Sequence, residues 1–169
     1  VNRSRHAAIL ESRHFTWPAE AACAAFAGAL AQQHGLRNAF VELHGPLGAG
    51  KTTFVRHLLR ALGVQGRIKS PTYAVVEPYT LQGNGPALDI WHFDFYRFTD
   101  PREWEDAGFR DHFAARGLKL AEWPENAHAV LPPADLRLHI EPQLDDTRQV
   151  RAEAGTPLGQ TLLTGMLGA

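Results

Sequence analysis

Hydrophobic positions recur along the chain at two spacings, and the switches between them predict alternating helices and strands. Behind Pro18, which a first helical turn tolerates, Phe26, Leu30 and the surrounding alanines repeat at helical spacing up to Gly35, a helix of about four turns. Residues 38–44 (NAFVELH) then alternate as a short strand, with Glu42 the one polar member out of place, and run into GPLGAGKTT. From Lys51, the apolar Phe54, Val55, Leu58, Leu59 and Leu62 share one helical face, with Arg56, His57 and Arg60 opposite, until Gly63 offers a stop. An irregular piece ending in SPTY leads to a strand over 73–76, a loop at 82–86 (QGNGP) and a second strand over 88–94. Asp100 caps a helix with Pro101 at its first position and Glu103 at capping-box spacing, running toward Gly108. A short strand at 118–122 (LKLAE) ends at Trp123-Pro124. Leu136, Leu138 and Ile140 then alternate with polar neighbours, and Asp145-Asp146 turns the chain toward a weaker strand near Val150.

Composition narrows the classes of partner. The 169 residues are 44% hydrophobic and 21% charged, enough for one domain with an ordinary core. Lys plus Arg number 17 against 18 acidic residues, a net charge of -1 that lacks the basic footprint of a chain gripping nucleic acid by its phosphates. A single cysteine, Cys23, forms no internal disulfide and no Cys-based zinc framework, which points to a reducing, cytoplasmic setting. The longest apolar run, 21–31, is too short for a membrane span, and no membrane association is expected. The nine histidines show no metal-binding spacing and read as surface and packing residues.

The chemistry lies where strand gives way to helix. Gly45-Pro46-Leu47-Gly48-Ala49-Gly50-Lys51-Thr52 fits G-x-x-x-x-G-K-[ST], whose glycines let backbone N–H groups turn inward around phosphate oxygens. Lys51 would bridge the β- and γ-phosphates and the Thr52 hydroxyl would bind Mg²⁺, while the start of the helix, with Thr53, adds a dipole favourable to an anion. A plain glycine turn would explain the glycines but not the lysine and hydroxyl that follow them. No acidic residue falls between Glu42 and Glu77, whereas Lys51, Arg56, Arg60, Arg67 and Lys69 do, a local positive field suited to a polyphosphate. The expected site therefore comprises Gly45, Leu47, Gly48, Ala49, Gly50, Lys51, Thr52 and Thr53 with ATP or ADP and Mg²⁺. The expected fold is α/β: a single-domain P-loop NTPase-like three-layer αβα unit with a central mixed sheet, over 15–155, with a loose leader at 1–14 and a tail at 156–169.

Such a site needs a carboxylate near the metal at the end of an apolar strand. Asp94, in HFDFYR, and Glu122, in LAEWPE, both end strands, as metal or catalytic groups whose separate tasks the spacing leaves open. Asp89 ranks behind them because five residues put it on the opposite strand face from Asp94. Ser70-Pro71-Thr72 reads by itself as an ordinary turn, although the Thr72 hydroxyl could reach a metal or γ-phosphate. Trp91, Phe93 and Phe95 share a strand face and read as core more readily than as a stacking platform for bases.

Taken together, GPLGAGKTTFVRHLL, KSPTY, HFDFYR and LAEWPE, in that order, resemble the TsaE (YjeE) family of bacterial P-loop ATPases over residues 15–140. The loop is shared by a vast superfamily, but its company with SPTY, HFDFYR and AEWPE is specific to this family. The resemblance implies a cytoplasmic ATPase that works with the TsaD and TsaB proteins in forming threonylcarbamoyladenosine in tRNA. It also implies functional roles for Lys51, Thr52, Thr72, Asp94 and Glu122, which raises Thr72 above a turn residue. Three positions depart from the family pattern: Pro46 stands where an acidic residue is usual and removes one backbone donor, Ala74 follows Tyr73, and Ala121 precedes Glu122.

Two other readings share the loop. A small kinase for a nucleoside or other small molecule would carry an Arg-rich lid, and no compact Arg cluster follows Gly108. A nucleotide-dependent interaction module would use ATP as a conformational ligand, with hydrolysis incidental. For the ATPase, no arginine finger is evident beyond Arg97, and docking surfaces for partners are expected at the 91–98 strand end and the Trp104-bearing helix near 103–106. The charge balance predicts that tRNA is reached only indirectly: a mobility-shift assay of the isolated chain should show no tight, salt-sensitive tRNA binding.

Overall fold

The computed structural model describes residues 8–71 and 75–166. Its centre is a seven-stranded mixed sheet of strand order β1-β7-β6-β2-β5-β4-β3. The strands are β1 (Glu11–Trp17), β2 (Phe40–His44), β3 (Val76–Leu81), β4 (Leu88–Asp94), β5 (Leu118–Glu122), β6 (Leu136–Pro142) and β7 (Arg148–Ala154). Strands β6, β2, β5 and β4 run parallel, and antiparallel pairs (β6 with β7, β7 with β1, β3 with β4) flank them. Parallel neighbours need crossovers, and helices α1 (Glu20–Ala31), α2 (Lys51–Leu62), α3 (Pro101–Asp106), α4 (Phe109–Ala114) and α5 (Pro157–Met166) serve as layers on the two faces.

The larger core lies between one sheet face and α1, α2 and α5. Phe54, Val55, Leu58 and Leu59 of α2 meet Val41 and Leu43 of β2, Leu118 and Leu120 of β5, and Leu136, Leu138 and Ile140 of β6, all buried. The apolar stripe expected from Lys51 onward is the buried face of α2, and Gly63, left-handed at φ 109, stops the helix. The second core is aromatic and smaller. Phe40, Phe93, Phe95, Phe98, Trp104 and Phe109 pack under α3 and α4, covering the β2-β5-β4 part of the opposite face. Farther along, that face carries Arg137, Arg151 and Glu153, and Glu153 pairs with both arginines. The second helical layer is thus confined to half of the sheet.

Three boundaries differ from expectation. Residues 11–14, assigned to a loose leader, lie in β1, which pairs antiparallel with β7 from Glu11↔Ala154 to Trp17↔Arg148. This edge strand is mostly exposed, so its polar residues masked the pattern that buried Trp17 anchors. Residues assigned to a tail form α5, which buries Leu162, Leu163 and Met166 against the main core; its two glycines and its threonines weakened the helical signal. The strand expected at 73–76 is β3, displaced to Val76–Leu81, and positions 73 and 74 lie outside the described residues. Phe93 and Phe95 are core, as read, and so is Trp104, at 3% exposure, so its ring faces inward rather than toward a partner.

Phe54 is fully buried, 6.0 Å from the Trp17 ring and 6.1 Å from that of Phe26. Phe54→Ala should cost about 3–5 kcal/mol in urea unfolding, and a cost below about 1 kcal/mol would mean that this junction is not the core of the fold.

Candidate functional site: a glycine-rich loop facing two strand-end carboxylates

The loop leaves the centre of the sheet from the carboxyl end of β2, where open α/β sheets place their ligands. Gly45 has φ 148, and a Cβ there would lie 2.5 Å from the Ile140 carbonyl oxygen. Only glycine fits that turn. The Ala49 N–H donates to the Pro46 carbonyl at 3.1 Å, and Gly50, at φ 106, caps α2. The N–H groups of Lys51, Thr52 and Thr53 open the helix with no intrahelical partners, at the positive end of its dipole. On the far side, the Arg148 Nε braces the loop by donating to the Ala49 carbonyl at 3.1 Å.

Lys51 is buried and folded back on its own loop. Its ammonium donates to the carbonyl oxygens of Gly45 and of Pro46, the latter at 3.1 Å, and lies 3.9 Å above the Trp123 ring. Burial holds its pKa below the ordinary lysine value, against the pull of Glu122, Glu125 and Asp94. Trp123 is left-handed at φ 54, a conformation that costs a non-glycine residue on the order of 1 kcal/mol. That turn redirects the chain after β5, with the Tyr96 ring 5.0 Å from the indole.

The two carboxylates stand side by side. Asp94 and Glu122 are register partners at the ends of β4 and β5, and Glu122 also neighbours Leu43 of β2. The Thr52 hydroxyl donates to Glu122 Oε1 at 2.8 Å, and Glu122 Oε2 lies 2.6 Å from the His92 Nε2. Glu122 is thereby tied to the loop on one side and to β4 on the other. Asp94 Oδ1 accepts from the Tyr96 N–H at 2.9 Å. Its pKa is raised, first by burial and further by Glu122, against the Tyr96 hydrogen bond that lowers it.

Of the residues expected from sequence, Leu47, Gly48, Ala49, Gly50, Lys51, Thr52, Thr53, Asp94 and Glu122 border one cavity of about 320 Å³, with Ser70 and Trp123. Gly45 hinges the loop. Thr72 lies outside the described residues. Asp89 is turned away, accepting from the Thr80 hydroxyl at 2.8 Å. A larger recess of about 600 Å³ lies on the α3–α4 layer beside Trp104 and Phe113, apart from these groups. His92, among the histidines read as surface and packing residues, is fully buried and also meets Glu122 at 2.6 Å. The available signal was its position two residues before Asp94, which puts both on one strand face.

A family model described as threonylcarbamoyl adenosine biosynthesis protein TsaE matches residues 17–150. The chain belongs to the TsaE family. It is 42% identical over 139 residues to a tRNA threonylcarbamoyladenosine biosynthesis protein TsaE of Haemophilus influenzae, covering 82% of this chain and 85% of that relative. The protein of the same name from Bacillus subtilis is 36% identical over 110 residues, 65% of this chain and 66% of the relative. The Streptomyces coelicolor protein is 37% identical over 126 residues, 73% and 83% of the two chains. Among solved structures, Bacillus subtilis YdiB superposes with a TM-score of 0.74 over 94% of this chain and 95% of its own, at 24% identity, which bears on the fold alone.

Next to the TsaE-family loop, His44 and His139 stack with centroids 4.6 Å apart, on register-paired positions of β2 and β6. Around them lie Glu42, Glu125 and Glu153, at 3.5, 3.8 and 3.3 Å from their ring nitrogens, together with Arg137 and Arg151. Burial, then the charges of His44, Arg151 and Arg137, push the His139 pKa from 6.5 to about 4. Between those values the unfolded chain binds a proton that the folded chain does not, so stability falls as pH drops through the window. In His139→Gln that part of the loss should vanish. Urea unfolding above and inside the window checks this, and an unchanged slope in the variant would contradict it.

Proposed function

We propose that this chain binds ATP or ADP with Mg²⁺ at the phosphate-binding loop and hydrolyses ATP slowly, supporting threonylcarbamoyladenosine modification of tRNA together with the TsaB and TsaD proteins. The observation that carries this reading is the Thr52 hydroxyl hydrogen-bonded to Glu122, with Asp94 beside it, at the N-terminus of α2. Thr52, Glu122 and Asp94 offer only oxygen ligands, the kind that Mg²⁺ prefers. Among the described residues no group of three or more His, Cys, Asp or Glu side chains could hold an ion unaided, which suits a metal that arrives with phosphate oxygens. Bound there, Mg²⁺ would neutralise charge on the phosphates and stabilise the loose transition state of phosphoryl transfer.

The chain's own groups divide the remaining work. Lys51 leaves its loop carbonyls for phosphate oxygens, which replace them as charge-assisted acceptors. Glu122, held at both oxygens, orients the metal side. Asp94, less constrained and with its pKa raised by burial, positions the attacking water and accepts its proton. Thr72 is proposed as a switch hydroxyl on family grounds. A recess of about 170 Å³ lined by Trp17, Cys23, Thr53 and Arg148 adjoins the loop and suits the nucleoside end of the ligand. The tRNA is reached through partner proteins, since the chain has a net charge of -1. No helix of the described residues is long and apolar enough to cross a membrane, and a cytoplasmic location fits the family role.

Lys51→Ala should weaken nucleotide binding by at least about 2 kcal/mol in titration calorimetry. Unchanged affinity would refute a nucleotide site at this loop. Asp94→Ala and Glu122→Ala should each lower turnover by about tenfold or more, with ADP affinity in the absence of Mg²⁺ preserved. Wild-type turnover in either variant would remove that residue from the reaction.

A further inference from the structure

The imidazole of His92 is fully buried, on the strand face that also presents Leu88 and Ile90 to the main core. Its Nε2 meets Glu122 Oε2 at 2.6 Å, while its Nδ1 is buried with no hydrogen-bond partner among the described residues. An orphaned nitrogen in a core carries a desolvation cost that a leucine at the same position would not. Among the described residues, the one polar interaction that offsets it is the one to Glu122. Glu122, at 2% exposure, is a buried carboxylate that needs donors on both oxygens, and its other donor, Thr52, belongs to the proposed metal site. Lys51 lines the same cavity, and its ammonium and the Glu122 carboxylate attract one another electrostatically.

We propose that His92 is a positioning residue: its Nε2–H holds Glu122 Oε2, fixing the carboxylate so that Oε1 stays with Thr52 and faces the metal instead of turning onto Lys51. This rests on the reading of the loop as a Mg²⁺–nucleotide site. Partners of this kind orient a ligating carboxylate without touching the ion, and their loss typically costs about 10–100-fold in metal affinity. The Gln side chain reaches with its terminal amide nitrogen where the imidazole Nε2 lies, so it can replace the donor; Leu fills the space without one.

The test uses the full chain as wild type, His92→Gln and His92→Leu. ADP affinity is measured by calorimetry with a chelator and across a Mg²⁺ titration. All three should bind ADP alike without metal. The Mg²⁺ needed to tighten ADP should rise ~10-fold or more in His92→Leu and return to within ~3-fold of wild type in His92→Gln. Wild-type Mg²⁺ dependence in His92→Leu, or His92→Gln as impaired as His92→Leu, would overturn the proposal. So would an equal loss of metal-free ADP affinity, which marks a merely structural role. Independently of nucleotide, ¹⁵N-histidine NMR should show a proton on a buried Nε2, resistant to solvent exchange and absent from both variants; failure to find it would also overturn the assignment. A wild-type chain that binds no nucleotide would sink the proposed function, and the NMR result would then decide the His92–Glu122 contact by itself.

Discussion

The carboxylate of Glu122 is the point through which the site is held together. It sits at the end of the strand between β2 and β4, so one residue touches the element that carries the loop and the element that carries Asp94. Its hydrogen bonds repeat that connectivity in side chains, through Thr52 to α2 and through His92 to β4. A buried carboxylate is tolerated only when its lone pairs are satisfied. That requirement fixes the separation of loop and strands, and the apolar packing of α2 on β2 and β5 then has one geometry to stabilise.

The chain around Glu122 reinforces this arrangement with backbone contacts. The Phe95 N–H donates to the Glu122 carbonyl at 3.0 Å, and the Asn126 side chain donates to the carbonyls of Phe95 and Tyr96 at 2.9 and 3.2 Å. The segments following β4 and β5 are therefore knitted together where they leave the sheet. Trp123 takes a left-handed turn in the second of these segments and covers Lys51, whose ammonium donates to loop carbonyls. In the proposed nucleotide complex, phosphate oxygens would replace those carbonyls as charged acceptors, so that the buried cation would stay paired.

Much of this was legible in the sequence because it is local. The stripe from Phe54 to Leu62, the stop at Gly63, the Asp100 cap and the glycine spacing of the loop each depend on neighbours within a few residues, and each appears where the pattern put it. Asp94 and Glu122 were visible as strand ends, and parallel pairing of β4 with β5 brings them together. What escaped depends on distant partners. β1 looks like a polar leader until β7 pairs with it, and α5 looks featureless until β7 and α1 give its leucines somewhere to pack. His92 could not be told from a packing histidine by composition, since its role comes from a carboxylate thirty positions away in the chain. The inward aim of Trp104 likewise follows from the second aromatic core rather than from its own acidic helix.

Among the described residues, Arg148 reaches the loop but spends its Nε on the Ala49 carbonyl, so acceleration by a group from another chain fits the proposed mechanism better than fast hydrolysis alone. The most direct test is steady-state ATP turnover by the chain alone, with TsaB and TsaD added, and by Glu122→Gln under both conditions. The account predicts turnover of order 0.1 per second or less alone, far below the enzyme median of about 10 per second, a rise of about tenfold or more with both partners, and loss of that rise in the variant. Fast turnover without partners, or a Glu122→Gln chain stimulated as strongly as wild type, would contradict it.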